Sequence, residues 1–180
     1  MQQKDENKEQ PPKIYIAMAC YDSVMIKTMV SMTKLVKELT KAKLEWQIET
    51  VKTPFVSKAR NILTALFLRS KYDYLLFIDA DVEFEPEAII RMLVAKKDII
   101  LTPYRVKLPH DASLVKYTIS FPDDKNVPIL PGDLVEISEG PAGMLLIHRK
   151  VFEFLMDSCP RLKIKHPFRK ESDPYLYNFW

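Results

Sequence analysis

Two aspartates separated by one residue are the strongest candidates for chemistry in this sequence. Asp79 and Asp81 directly follow the apolar run at residues 74–78. Because side chains alternate along an extended chain, both carboxylates face the same way beyond a strand end, where open α/β sheets bind ligands. Two carboxylates suit Mg²⁺ or Mn²⁺ and leave other ligand positions to phosphate oxygens, whose charge the metal would stabilise as a Lewis acid. The alternative is a solvated turn; the preceding apolar strand favours a metal and diphosphate site.

The first half of the chain alternates between strand and helix patterns. Strands are predicted at 14–20, 44–51, 74–78 and 98–102. The intervening helices are predicted to begin at a cap formed by Asp22 or Ser23, at a cap formed by Ser57, and at Pro86. Three strand–helix–strand steps imply a parallel sheet with right-handed crossovers. The fold class is therefore predicted to be α/β, with a mostly parallel sheet flanked by helices.

The second half has a different pattern. Residues 114–121 and 134–138 look like strands joined by a proline-rich loop that leaves no room for a helix. A glycine-containing turn at 140–143, a short strand at 144–148 and a helix to about Asp157 follow. This pattern predicts an antiparallel flap attached to the α/β first half.

Length and composition limit the function classes. The 180 residues suffice for one domain, predicted at 13–180 after a flexible polar lead-in at 1–12. A net charge of +3 with dispersed acids does not indicate a nucleic-acid binder. Three glycines exclude a Walker loop and a dinucleotide fingerprint. Two cysteines, no apolar run of about 18 residues and no signal-peptide core predict a cytoplasmic protein without a transmembrane segment.

Several single residues have two open interpretations. Arg60 falls in the first turn after the expected Ser57 cap, where the helix dipole disfavours a cation, so either a phosphate contact or a salt bridge to a loop carboxylate would explain it. Asp22 is either a helix cap or a contact to the base or ribose. Glu139 is either a surface residue or an acid, base or sugar-hydroxyl acceptor. His166 lies in a basic stretch and is a candidate for a further metal ligand.

Two segments carry a resemblance to a known family. The segment Y-D-Y-L-L-F-I-D-A-D-V-E-F-E-P, which follows an S-K-A-R-N helix, resembles the D-x-D motif region of nucleotide-sugar-dependent glycosyltransferases of the GT-A fold. The segment E-G-P-A-G-M-L-L-I-H-R-K-V-F-E-F-L is similar to the turn, strand and helix that follow in small members from bacteria and large DNA viruses. The resemblance spans roughly residues 13 to 157.

The resemblance implies a GT-A-like fold and a set of site residues. Metal and diphosphate binding is implied for Asp79 and Asp81 with Ala80 between them, nucleoside binding for Ala17, Ala19 and Tyr21, a place near the nucleotide for Arg60, and a place near the transferred sugar for Ala142 and Gly143. The absence of side chains at Gly140 and Gly143 would let the donor sugar approach the backbone, although a turn alone also explains them.

The function implied is a metal-dependent glycosyltransferase of the hexosyltransferase type. It would move a sugar from a nucleoside-diphosphate sugar, uridine being the family's commonest base, to a hydroxyl of a glycan or glycoconjugate, with Mn²⁺ or Mg²⁺. The alternatives are a non-catalytic nucleotide-sugar or glycan-binding domain of a larger protein, and a haloacid-dehalogenase-like phosphatase, whose nucleophile motif is also D-x-D.

The end of the sequence departs from that family. Its members usually continue with an acidic stretch, whereas this chain stops at Y-L-Y-N-F-W. We therefore expect either a truncated chain that associates with a missing C-terminal region or an acceptor site built otherwise. The aromatic residues near the end are predicted to cover a core edge or an interface, with stacking on acceptor sugars as the alternative.

Overall fold

A five-stranded mixed sheet organises the part of the chain that the computed structural model describes, which is residues 10–105, 117–122, 132–164 and 173–180. The strands are β1 (Ile14–Cys20), β2 (Trp46–Lys52), β3 (Tyr74–Ile78), β4 (Ile99–Leu101) and β5 (Met144–His148), in the order β2-β1-β3-β5-β4. β1 pairs in parallel with β2 and β3, whereas β5 runs antiparallel between β3 and β4. Four strands therefore point the same way, and their carboxyl ends share one edge.

Helices cover both faces of the sheet. They are α1 (Ile26–Lys41), α2 (Val56–Arg69), α3 (Pro86–Val94) and α4 (Arg149–Ser158). Alternate residues of β1 enter two separate cores: Ile14 and Ile16 pack with α1 and α3, whereas Tyr15 and Ala17 pack with α2 and α4. Burial on both faces explains why β1 and β3 are continuous apolar runs in the sequence. The predicted α/β class, with a mostly parallel sheet flanked by helices, is confirmed.

The predicted caps of α1 and α2 are wrong. Met25 and Phe55 are the N-cap residues, and neither helix has a side-chain cap. The Met25 amide donates to the Ala80 carbonyl at 2.9 Å, so the chain after β1 first contacts the D-x-D segment and turns into a helix only afterwards. Arg60 is therefore the fifth residue of α2, and the helix-dipole argument for it does not hold.

The predicted strand at 134–138 is also wrong. Within the described residues, the pairing there is one isolated antiparallel bridge between Ser120 and Glu139. The amides of Ser120 and Ser138 each make one 2.9 Å hydrogen bond across this contact, too few to build a ladder. The predicted strand at 114–121 is described only from residue 117, where Tyr117 forms another isolated bridge with Arg105. The antiparallel strand that the structure describes in the second half is β5, which was correctly predicted.

No helix in the described ranges is both long and apolar enough to cross a membrane.

Candidate functional site

The D-x-D segment leaves β3 at the carboxyl edge of the sheet and is held there by backbone hydrogen bonds. The Asp79 amide donates to the Gly143 carbonyl at 2.8 Å, and the Met25 amide donates to Ala80 at 2.9 Å. The chain then turns, with the Val82 amide donating to the Asp79 carbonyl at 3.3 Å. The Asp79 side chain is 33% exposed and Asp81 is exposed. Both carboxylates therefore stand on a fixed backbone within reach of solvent.

Arg60 contacts the first aspartate of this pair. Its Nη2 atom lies 2.9 Å from Asp79 Oδ1 and donates also to the Ala142 carbonyl at 3.2 Å. The Arg60 side chain is only 13% exposed, and its Nε atom is buried without a hydrogen-bond partner among the described residues. The salt-bridge interpretation of Arg60 is thus correct, and the partner is the D-x-D motif itself. The nucleotide contact stays a prediction.

A side chain at either glycine of the 140–143 turn would meet a different group. A Cβ atom at Gly143 would lie 3.1 Å from Asp79 Oδ2 and 3.0 Å from Tyr104 Cε1, so the bare backbone allows the carboxylate to approach closely. A Cβ atom at Gly140 would instead lie 2.5 Å from Leu101 Cδ2, an apolar contact within the fold. Gly143 thus lies beside Asp79 and Tyr104, whereas Gly140 packs on Leu101.

Tyr104 is a site residue that the sequence reasoning missed. It follows β4 at the same edge of the sheet as Asp79, and its ring and hydroxyl both lie beside Gly143. Burial raises the pKa of the Tyr104 hydroxyl, and the negative charges of Asp79 and Asp81 raise it further, while Arg60 opposes them. Its position just beyond a strand predicted to be parallel to β3 was the available signal, because parallel strands end at one edge.

The residues expected to receive the nucleoside lie at the end of the neighbouring strand β1. Ala17 is buried in the core, Ala19 is partly buried and Tyr21 is 72% exposed. The Asp22 carboxylate, exposed as well, accepts a 2.7 Å hydrogen bond from Lys52 Nζ. The helix-cap interpretation of Asp22 is therefore wrong, and its contact to a nucleotide stays a prediction.

Two sequence-predicted candidates remain, Glu139 and His166. Glu139 is exposed and its Oε2 atom accepts a long hydrogen bond, 3.4 Å, from the Ser120 hydroxyl. It lines an open groove of about 400 Å³ together with Tyr117 and Pro141. His166 lies outside the described residues.

The donor set of this edge fits a divalent cation that shares its coordination with phosphate oxygens. Arg60 engages Oδ1 of Asp79, while Oδ2 faces Gly143 and the Asp81 carboxylate is exposed. Within the described ranges no three His, Cys, Asp or Glu side chains form a metal-binding group. Proteins usually bind Mg²⁺ through one or two carboxylates, and substrate phosphates and water supply the other ligands.

Comparison of the structure with solved ones finds low-identity neighbours. The A197 protein from STIV is 21% identical with a TM-score of 0.49, covering 89% of this chain and 73% of that one. A 4-diphosphocytidyl-2C-methyl-D-erythritol synthase from Anaerococcus prevotii is 14% identical with a TM-score of 0.42, covering 94% and 84%. A glycosyltransferase involved in the glycosylation of the major capsid of PBCV-1 is 12% identical with a TM-score of 0.41, covering 83% and 68%.

Sequence comparison gives the family. No curated protein matches the chain significantly. The family model Anp1 matches residues 5–120, which include the first four strands, the D-x-D segment and Tyr104. This assignment agrees with the glycosyltransferase-like character that the motifs indicated. Since the match covers well over half of the sequence, the chain belongs to the Anp1 family.

Proposed function

We propose that this protein transfers a sugar from a nucleoside-diphosphate sugar to a hydroxyl group of a glycan or glycoconjugate. The observation that carries the proposal is the convergence of Asp79, Arg60 and the Ala142–Gly143 backbone at the carboxyl edge of the parallel strands. An anionic diphosphate with its cation fits a site that offers both carboxylates and a guanidinium. Membership in the Anp1 family and the D-x-D resemblance support the same reaction class.

Each site residue has a role in this proposal. Asp79 Oδ2 and Asp81 would hold Mn²⁺ or Mg²⁺, and when bound the cation would supply Lewis-acid stabilisation of the diphosphate leaving group. Arg60 would offer a phosphate oxygen the guanidinium donors that the fold leaves unused, because within the described residues only its Nη2 atom donates hydrogen bonds. Its positive charge would stabilise the charge that develops on the leaving diphosphate.

The remaining groups would place the sugar. Gly143 would leave room for the transferred sugar beside Asp79, since a side chain there meets that carboxylate and the Tyr104 ring. The Tyr104 hydroxyl, whose pKa is raised, stays protonated at neutral pH and can donate a hydrogen bond to the donor. On the acceptor side we retain Glu139, which borders the groove beside the 140–143 turn.

Calorimetric titration tests this proposal. Uridine and guanosine diphosphates and their sugar conjugates are titrated into the protein with Mn²⁺ and again with chelator. We expect saturable binding that chelator removes, with one base strongly preferred. Absence of binding in both conditions would contradict the proposal. Release of the diphosphate together with a glycosylated acceptor distinguishes transfer from binding alone, and release of inorganic phosphate would instead indicate the phosphatase.

A further inference from the structure

The segment 173–180 is fastened to α2 by one buried amide side chain. Asn61 is only 5% exposed. Its Oδ1 atom accepts hydrogen bonds from the backbone amides of Phe179 and Trp180 at 2.9 and 3.3 Å, and its Nδ2 atom donates to Asn178 Oδ1 at 3.0 Å. Both the oxygen and the nitrogen of the Asn61 amide group are therefore hydrogen-bonded to segment 173–180. These bonds fix the position of the segment along α2.

The hydrogen bonds to Asn61 also hold Trp180 where its ring lies over Arg60. The indole N–H donates to the hydroxyl of Thr64 at 3.2 Å, one turn along α2 from Arg60. The ring also packs edge-on against Phe77, with 5.1 Å between the centroids. The guanidinium carbon of Arg60 lies 5.4 Å from the Trp180 ring and 5.7 Å from the Phe77 ring. Two touching aromatic rings thus line the guanidinium.

We infer that Trp180 is a positioning residue, which holds the Arg60 guanidinium at Asp79 and so strengthens binding of a nucleoside diphosphate at this edge. The inference rests on the proposed function. A guanidinium held against aromatic rings has few orientations left, so it loses little entropy when it engages a phosphate. Without the ring, water reaches the guanidinium and the side chain regains rotamers that point away from Asp79.

A neighbouring aromatic residue supplies the matched control. Phe179 packs on Phe152 with 5.2 Å between centroids and stacks on Tyr177 at 5.4 Å. Within the described residues, the rings that lie against the Arg60 guanidinium are those of Phe77 and Trp180 and not that of Phe179. Phe179→Leu therefore weakens the docking of the same segment while leaving the ring over Arg60, and it separates a positioning role from a merely structural one.

The test uses two measurements on Trp180→Leu, Trp180→Phe and Phe179→Leu. The first is the NMR order parameter of the Arg60 Nε–H bond without ligand. The second is calorimetric affinity for the preferred nucleoside diphosphate with Mn²⁺. For Trp180→Leu we expect a mobile Arg60 and affinity about 5- to 30-fold weaker, the range of a desolvated cation–π contact. For Trp180→Phe and Phe179→Leu we expect a rigid Arg60 and affinity within about 3-fold of wild type.

Two results would overturn the inference. One is a rigid Arg60 with unchanged affinity in Trp180→Leu; the other is an equal loss of affinity in Phe179→Leu. If Trp180→Leu does not fold, Thr64→Val replaces it. This variant removes the acceptor of the indole N–H together with the hydrogen bond from the Thr64 hydroxyl to the Arg60 carbonyl. An unchanged Arg60 order parameter in Thr64→Val overturns the inference too. If the wild type binds no nucleotide, the proposed function has failed, and the Arg60 order parameter alone decides whether Trp180 positions that side chain.

Discussion

Two arginines contact opposite ends of α2, Arg60 from within the helix and Arg149 from the start of α4. Both pack on aromatic rings, but they use their hydrogen-bond donors differently. Arg149 donates from all three of its nitrogens to backbone carbonyls of Phe67, Leu68, Ser70 and Tyr72, and its guanidinium carbon lies 4.5 Å from the Phe67 ring. Arg60 also lies on aromatic rings, but it contacts one carboxylate and one carbonyl through a single nitrogen.

The difference distinguishes a structural cation from one available to a ligand. The donors of Arg149 are used to close the last turn of α2 and to tie it to the start of α4, so it has little capacity left for a ligand. Arg60 keeps a buried Nε without a partner in the described ranges, beside a carboxylate that is a third exposed. A buried donor left unpaired is costly, and this cost is compatible with the ligand role that we propose for Arg60.

The largest effect that we expect is on stability, from Arg149→Met. The substitution leaves four carbonyl groups of the α2 end without their charged donor and lowers the free energy of unfolding by about 3 to 5 kcal/mol. Urea denaturation measures the loss, and the folded fraction should bind nucleotide with wild-type affinity. A loss below about 1 kcal/mol would show that water replaces the guanidinium as the donor to these carbonyl groups. Arg149 would then not be an arginine that stabilises the fold.

The converse variant, Arg60→Met, should affect binding more than stability. We expect affinity for a nucleoside diphosphate to fall about 30- to 100-fold, because a charge-assisted contact is lost, while the free energy of unfolding changes by about 1 kcal/mol or less. Calorimetry and urea denaturation of the same preparation measure both quantities. Wild-type affinity combined with a large stability loss would make Arg60 a structural residue like Arg149.

Substitutions of the two glycines of the 140–143 turn should show the same difference between an effect on binding and an effect on stability, with smaller magnitudes. Gly143→Ala should weaken nucleotide-sugar binding about 5- to 20-fold, since the added methyl meets Asp79 Oδ2 and the Tyr104 ring. Gly140→Ala should leave affinity unchanged and destabilise the fold by about 1 to 3 kcal/mol, because its methyl meets Leu101. If both variants lost stability equally and neither lost affinity, Gly143 would not belong to the site.

The smallest effect at neutral pH concerns Tyr15, which packs on Phe67 at the structural end of α2. Burial raises the pKa of Tyr15 to about 12 from 10.0. The protonated hydroxyl is therefore favoured by the fold, so its contribution to stability is complete below pH 10 and is lost as pH rises toward 12. Comparing the pH dependence of unfolding in wild type and Tyr15→Phe checks this. If the free energy of unfolding depended on pH in the same way in both proteins, ionisation of Tyr15 would not contribute to the loss of stability at alkaline pH.

The fold class and the place of the D-x-D pair could be predicted because they depend on local pattern. Strands buried on both faces must be apolar throughout, and β1 and β3 are. The start of α1 could not, because the hydrogen bond from the Met25 amide to the Ala80 carbonyl joins segments far apart in sequence, whereas the start of α3 at Pro86 was predicted correctly. The sequence also did not identify Asp79 as the salt-bridge partner of Arg60, because this contact likewise joins two separate segments. Nothing in the pattern near residue 180 indicates that Trp180 packs on α2, although the prediction that the final aromatic residues cover a core edge is confirmed.

The central claim is that the edge formed by Asp79 and Arg60 binds a nucleoside diphosphate with a divalent cation. The most direct test is calorimetric titration of that nucleotide with Mn²⁺ into wild type, Asp79→Asn and the control Asp157→Asn, which alters an exposed carboxylate at the end of α4. We expect Asp79→Asn to bind at least about 100-fold more weakly while unfolding at the same urea concentration, and Asp157→Asn to match wild type. Wild-type affinity in Asp79→Asn would contradict the claim.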